Sequence, residues 1–156
     1  MEKKRLLGSG FRAVILICLV VAAGGCSLPR IIVLHDPLTP EEHVNLGVSY
    51  EKKGEPDAAL TEYKKAAKEL PIANLYAGNV YFAQKKFTEA TKSYKKAIAK
   101  TDSPEARNNL AWLYLVTDVK LDEAERLAEK AVELSPQSEG FRDTLEKIRA
   151  KRTAQR

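Results

Sequence analysis

The chain has 156 residues and a formal net charge of +5. Residues 1–25 carry Lys3, Lys4, Arg5 and Arg12 against Glu2; the remainder, with 22 basic and 20 acidic residues, is nearly neutral and lacks the basic excess of a nucleic-acid binder. Cys18 and Cys26 are the only cysteines, which excludes a disulfide framework and a thiolate metal site beyond residue 26.

In chain order, the first element is a basic start followed by an unbroken apolar run at residues 13–23 (AVILICLVVAA). This reads as a secretory signal. Eleven helical residues span about 16 Å, short of the ~30 Å hydrocarbon core. A longer anchor over residues 8–25 would carry Arg12 into the apolar layer. Small residues, Ala22, Ala23, Gly24 and Gly25, then lead into Cys26.

Ala23-Gly24-Gly25-Cys26 resembles the lipobox of bacterial lipoprotein precursors. The resemblance implies that residues 1–25 are a signal peptide cut away before Cys26, whose thiol takes the lipid. Ala23 stands where that family usually has Leu, so an uncleaved anchor or an ordinary secretory cut stays open. Three acyl chains, palmitate among them, would hold the protein firmly, since one chain alone binds only marginally. Ser27, not Asp, follows the cysteine. By the sorting rule of enteric-type lipoproteins this implies the periplasmic face of the outer membrane, in an organism that has one. The expected location is therefore the bacterial cell envelope, with lipid anchoring to a membrane.

Residues 26–39 form a linker. Pro29 and Pro37 oppose a helix there. The apolar run at residues 31–34 is either packed on the first hairpin or exposed to a partner. About thirteen extended residues reach at most ~45 Å.

From Pro40 onward Ala, Leu, Lys and Glu dominate, which favours an all-α fold. Thr39-Pro40-Glu41-Glu42 predicts an N-cap, a proline at the first helical position and a capping-box glutamate. Ser103-Pro104-Glu105 repeats this start, Gly54 ends the first helix and Pro56 opens the second. Residues 46–67 (LGVSYEKKGEPDAALTEYKKAA) and 77–98 (AGNVYFAQKKFTEATKSYKKAI) align at a constant offset of 31. Gly47 meets Gly78, Tyr50 meets Tyr81, Ala59 meets Ala90, Tyr63 meets Tyr94 and Ala66 meets Ala97. A third copy follows: Leu110, Ala111 and Tyr114 at offset 33, then Ala124, Ala128 and Ala131 at offset 34. The extra residue falls in the turn at residues 117–121. The copies divide the chain at 40–70, 71–103 and 104–137. Residues 138–156 remain, with Phe141, Leu145 and Ile148 at helical spacing and a basic end.

These residues resemble the tetratricopeptide repeat, a helix-turn-helix unit of ~34 residues. The first copy matches the pattern at Leu46, Gly47, Tyr50, Ala59, Tyr63, Ala66 and Pro71. The third has Ala111 for the glycine and Ala128 for the aromatic residue. The implied fold is an α-solenoid of three such repeats closed by a C-terminal capping helix. Small residues sit where helices cross closely, tyrosines fill the space between hairpins, and no hairpin buries its apolar face alone.

The family's geometry places the groove-lining residues on the first helix of each repeat. Here they are Val44 and Val48, then Leu75, Asn79 and Phe82, then Asn108, Trp112 and Leu115. Apolar pockets suit the alternate side chains of a peptide, asparagines bond its backbone in both directions, and Trp112 is a natural hot spot. The alternatives are packing against the cap helix for Trp112, a core position for Phe82, and solvated or helix-bonding roles for Asn79 and Asn108. Relatives that clamp a C-terminal carboxylate use lysines and arginines where Val44 and Val48 stand.

No phosphate loop, dinucleotide motif or nucleophile elbow is present. His35 and His43 lie eight apart, and as a metal pair with Asp36 they compete poorly with a core or surface role. The expectation is a non-enzyme without cofactor, metal, nucleic-acid or small-molecule ligand. It would be an adaptor or scaffold in the bacterial envelope, holding a protein or peptide of an assembly, secretion or cell-wall partner. It resembles pilus-assembly and cell-wall regulator lipoproteins with the same repeats. Val33 to Tyr50 also resembles the repeat tail of some papain-like bacterial peptidases, which implies a peptidase accessory. The alternative is a structural protein that self-associates.

Overall fold

The computed structural model describes residues 36–155, and the expectations for the leader, Cys26 and the run at residues 31–34 lie outside them. Seven α-helices make up the described residues: α1 (Pro40–Lys52), α2 (Pro56–Ala66), α3 (Ala73–Ala83), α4 (Phe87–Thr101), α5 (Pro104–Val116), α6 (Leu121–Leu134) and α7 (Glu139–Ala154). α1 pairs with α2, α3 with α4 and α5 with α6; each hairpin stacks on the next, and α7 closes the stack against α6 and α5. This is an all-α tetratricopeptide-type solenoid.

Local sequence starts and stops these helices. Thr39 Oγ1 accepts from the Glu42 amide at 3.2 Å and Glu42 Oε2 accepts from the Thr39 amide at 2.8 Å, a complete capping box ahead of Pro40. Ser103 Oγ accepts from the Ala106 amide at 3.1 Å at the start of α5. Within the three hairpins the turns hold residues 53–55, 84–86 and 117–120. Each turn has a residue with positive φ at the same place, Gly54 (76°), Lys85 (58°) and Asp118 (55°), and the longer third turn adds Lys120 (50°). Only the first has the residue for which that conformation costs nothing.

Side-chain size sets the hairpin crossings. A Cβ on Gly47 would lie 2.4 Å from the Tyr63 ring, and one on Gly78 would lie 2.5 Å from the Tyr94 ring. Both tyrosines are almost completely buried. In the third hairpin Ala128 replaces the ring, and Ala111 accordingly replaces the glycine. Ala59, Ala90 and Ala124, each with no exposed surface, let the second helices approach. The core runs from Leu60, Tyr63 and Val80 near the first hairpin, through Tyr81, to Tyr94, Leu110, Tyr114, Leu145 and Ile148. Burying Ile148 of α7 contributes roughly 1.5–3 kcal/mol, while the outward side of α7 stays charged, as the end of a solenoid requires.

His43, for which the sequence leaves a core or a surface role, is 4% exposed. Its Nδ1 lies 2.6 Å from Glu62 Oε2 on α2, and its Nε2 lies 3.3 Å from Asp36 Oδ2. The ring stands between two carboxylates, so each nitrogen faces a carboxylate oxygen, and the contact joins Asp36 to the first hairpin. Lys65 Nζ, 3.4 Å from the same Asp36 oxygen, closes the group.

Candidate functional site

The first helices α1, α3 and α5 form one side of the stack. On it Asn79, Phe82, Asn109 and Trp112, with Tyr94 beneath, line a hollow of ≈ 270 Å³. The one-turn spacing of Asn79 and Phe82 on α3 and of Asn109 and Trp112 on α5 puts each pair on one helix face. Four side chains from two hairpins converge because Tyr94 of α4 rises between α3 and α5. Its hydroxyl donates to Asn79 Oδ1 at 3.0 Å, and Asn109 Nδ2 donates to the same oxygen at 2.9 Å. Burial pushes the Tyr94 phenol well above its ordinary value, so it remains a donor. The shared oxygen ties α3 to α5 and fixes the floor of the hollow. What Asn79 then offers outward is its amide N–H groups.

The remaining expected groove residues are spread more widely. Phe82 is half-buried, packed on the core and 5.8 Å from the Phe87 ring. Trp112 is half-buried; it lines the hollow, and Lys147 Nζ of α7 sits 5.5 Å from its ring centroid. It therefore combines groove lining with contact to the cap, two roles that the sequence left as alternatives. Val44 and Val48 are half-buried against Tyr63 and Leu60, away from the hollow. Asn108 Oδ1 is enclosed without a hydrogen-bond partner among the described residues, so it is not presented to a ligand.

Two expectations need correction. Leu75 and Leu115, placed on the groove by family geometry, are each 8% exposed and belong to the core. Leu75 lies in the first turn of α3, in the cluster built with Leu110 and Tyr94. Leu115 sits where α7 packs on α5, and Lys151 Nζ donates to its carbonyl at 3.1 Å. The residue missed from sequence is Asn109. It stands one helical turn before Trp112, and that spacing was the available signal.

A tetratricopeptide repeat family profile matches residues 44–104 and again residues 75–139. No curated protein matches the sequence. Solved structures do. The first repeat domain of Spaghetti (RPAP3), bound to the HSP90 peptide SRMEEVD, is 25% identical with a TM-score of 0.68, covering 78% of this chain and 98% of that one. PilF of Pseudomonas aeruginosa is 23% identical with a TM-score of 0.67, covering 76% of this chain and 56% of that one. MamA of Desulfovibrio magneticus RS-1 is 22% identical with a TM-score of 0.62, over 73% and 66%. The last two likenesses speak for the fold alone. Domains of this kind are in general non-catalytic protein-interaction modules. With the profile covering more than half its length and the helices stacked as described, the chain belongs to the tetratricopeptide repeat family.

Proposed function

We propose that this protein is a membrane-tethered adaptor of the bacterial envelope, lipidated at Cys26, whose first-helix side holds a segment of a partner protein. The observation that carries the reading is the hollow at Asn79, Phe82, Asn109 and Trp112. An aromatic pair beside amide donors suits a peptide: the rings take an apolar side chain and the amides meet backbone carbonyls. The repeat domain of RPAP3, similar over most of this chain, binds a peptide of HSP90 in its solved structure. That peptide is acidic, whereas valines, asparagines and a tryptophan stand on the corresponding side here. The partner segment is accordingly apolar or aromatic and needs no terminal carboxylate clamp.

The tether reading rests on Gly24, Gly25 and Cys26 following an apolar run. Metabolic acyl labelling of wild type against Cys26→Ala tests it, and label retained in the variant removes lipidation at this thiol. The adaptor reading is tested by in-cell crosslinking and pull-down with Phe82→Ala/Trp112→Ala. Loss of a crosslinked species, with helical content intact by circular dichroism, is expected. Unchanged capture moves the site elsewhere.

A further inference from the structure

A second concavity, larger than the first and sharing no residue with it, opens on the side of the second helices. It encloses ≈ 630 Å³ between α2 and α4, over α3. Its floor is apolar, with Tyr63, Pro71, Ala77 and Tyr81. Its walls are basic: Lys64 and Lys68 on one side, Lys92, Lys96 and Lys100 on the other. Glu89 is the one acidic residue lining it. All five lysines are exposed, and among the described residues none forms an ion pair.

The gap has identifiable causes. α2 ends at Ala66, whereas α4, aligned at offset 31, continues past the matching Ala97 to Thr101. The last turn of α4 therefore outruns its neighbour and leaves Ala99 and Lys100 beside the link to α3. The floor is also low. Where α3 has Asn74 and Ala77, α5 has Arg107 and Leu110 at offset 33. In that next interval Leu110 is fully buried, Arg107 reaches Asp102, and Lys95 of α4 meets Glu123 of α6 at 3.4 Å. The equivalent space is filled and its charges are paired. Of the two intervals, only the one between α2 and α4 combines small residues with lysines that form no ion pair among the described residues.

Lys92, Lys96 and Lys100 follow a helical row on α4 at i, i+4, i+8, faced by Lys64 in the last turn of α2 and Lys68 in the turn just after it. Like charges at this spacing repel and weaken the helix that carries them. On α6 the aligned stretch alternates Arg126, Glu129, Lys130 and Glu133, with Lys130 Nζ 2.7 Å from Glu133 Oε1. The repulsion on α4 is thus not a general property of these helices, and an anionic ligand would relieve it. The row spacing says which kind. Four residues of helix rise about 6 Å. Side chains on one face of an extended peptide repeat every ~6.6 Å. Over the three lysines of α4 the two spacings drift by only about 1 Å, within the reach of a flexible ammonium arm. We propose that this cleft binds an extended acidic segment of a protein, its acidic side chains meeting the lysines of both walls and its alternate apolar side chains resting on Tyr63, Ala77 and Tyr81. A flat anionic membrane fits less well, because an apolar floor sunk between two helices is out of reach of headgroups.

The test uses the purified full chain in zwitterionic detergent. A fluorescent peptide alternating Glu with Val is titrated by anisotropy, beside its Gln-for-Glu counterpart, inorganic phosphate as competitor, and anionic against neutral phospholipid vesicles. The Glu peptide should bind, with affinity falling as salt rises, and the Gln peptide should not. Lys92→Glu/Lys96→Glu should weaken binding at least about tenfold, since two attractions become repulsions. Lys52→Glu/Lys53→Glu, equally exposed and outside the cleft, should leave it unchanged. Ala77→Leu, which raises the floor as Leu110 does next door, should weaken it without changing net charge. Circular dichroism confirms that each variant is folded. Equal binding of the Gln peptide, equal loss in both charge reversals, or no binding of the Glu peptide overturns the proposal. Displacement by phosphate alone makes the site a simple anion site. Preference for anionic vesicles without peptide binding replaces the peptide by a lipid surface. Either result also overturns it.

Discussion

The second and third hairpins are one design executed with different residues. In the second, Gly78 lies against the Tyr94 ring, the floor residues are Asn74 and Ala77, and among the described residues the lysines of α4 form no ion pair apart from the one that Lys95 makes across to α6. In the third, two alanines replace glycine and ring, Arg107 and Leu110 fill the floor, and α6 exchanges ion pairs with α7. The comparison teaches that repeat positions change in sets. A glycine is needed only opposite a ring, and a surface is open only where small floor residues meet unpaired charge.

The sharpest way to break this comparison is at the Gly78–Tyr94 contact. Tyr94→Ala empties a fully packed site and forfeits the bond to Asn79, so a loss of about 3–5 kcal/mol is expected in urea unfolding. Gly78→Ala drives a Cβ to 2.5 Å from a ring that has nowhere to go and should cost about 1–3 kcal/mol. The double variant recreates the third hairpin's solution. Its cost should fall short of the sum by roughly 1–3 kcal/mol; simple additivity would show that the two positions are not coupled.

A smaller effect is expected where the third hairpin is sealed. Arg149 Nε lies 2.9 Å from Glu125 Oε1 and its Nη2 lies 2.6 Å from Glu129 Oε1, while Arg152 contacts Asp122 and Glu125. Arg149→Ala should cost on the order of 0.5 kcal/mol at low salt and less at high salt. A salt-independent loss would point to packing of the arginine stem instead. Acid should loosen the same end. The hydrogen bond from Lys151, then that from Gln155, holds the Asp118 carboxyl below the ordinary aspartate value of 3.8, and Arg107 does the same for Asp102. A depressed carboxyl contributes stability above its unfolded value and loses it as the pH falls through the folded value. Unfolding midpoints should therefore drop below about pH 4, and Asp118→Asn should flatten that drop. The smallest change concerns the turns: Lys85→Gly, at φ 58°, should stabilise by about 0.5 kcal/mol or slightly more, since the left-handed strain exceeds the added chain entropy of glycine. A matching change at Gly54→Lys should go the other way.

Much of this architecture was legible in the sequence, because the repeat is written in residue size. The constant offset relating Gly47 and Tyr63 to Gly78 and Tyr94 reports a close crossing that only glycine permits beneath a ring. Capping at Thr39 and Ser103 was equally local. The groove was legible only in part. Leu75 and Leu115 occupy helix phases that face outward in an average repeat, but α5 and α7 cover them here. Asn109 escaped notice because its role depends on Tyr94, fifteen residues from the asparagine they share. The lysine cleft depends on the simultaneous shortness of α2 and smallness of Ala77, and neither is informative alone.

The contact of Asp36 with His43 and Lys65 bears on how far the domain can roam. Chain that is bonded to the first hairpin no longer serves as leash. Free length from an acylated Cys26 would end at residue 36, not at the first helix, and ten residue steps extend no further than about 35 Å. If Cys26 carries the proposed lipid, that length would hold the domain in a thin shell above the bilayer, where the effective concentration of a partner anchored in the same membrane would be high even at modest intrinsic affinity. On the proposed tether, an aspartate outside every helix would set the search radius.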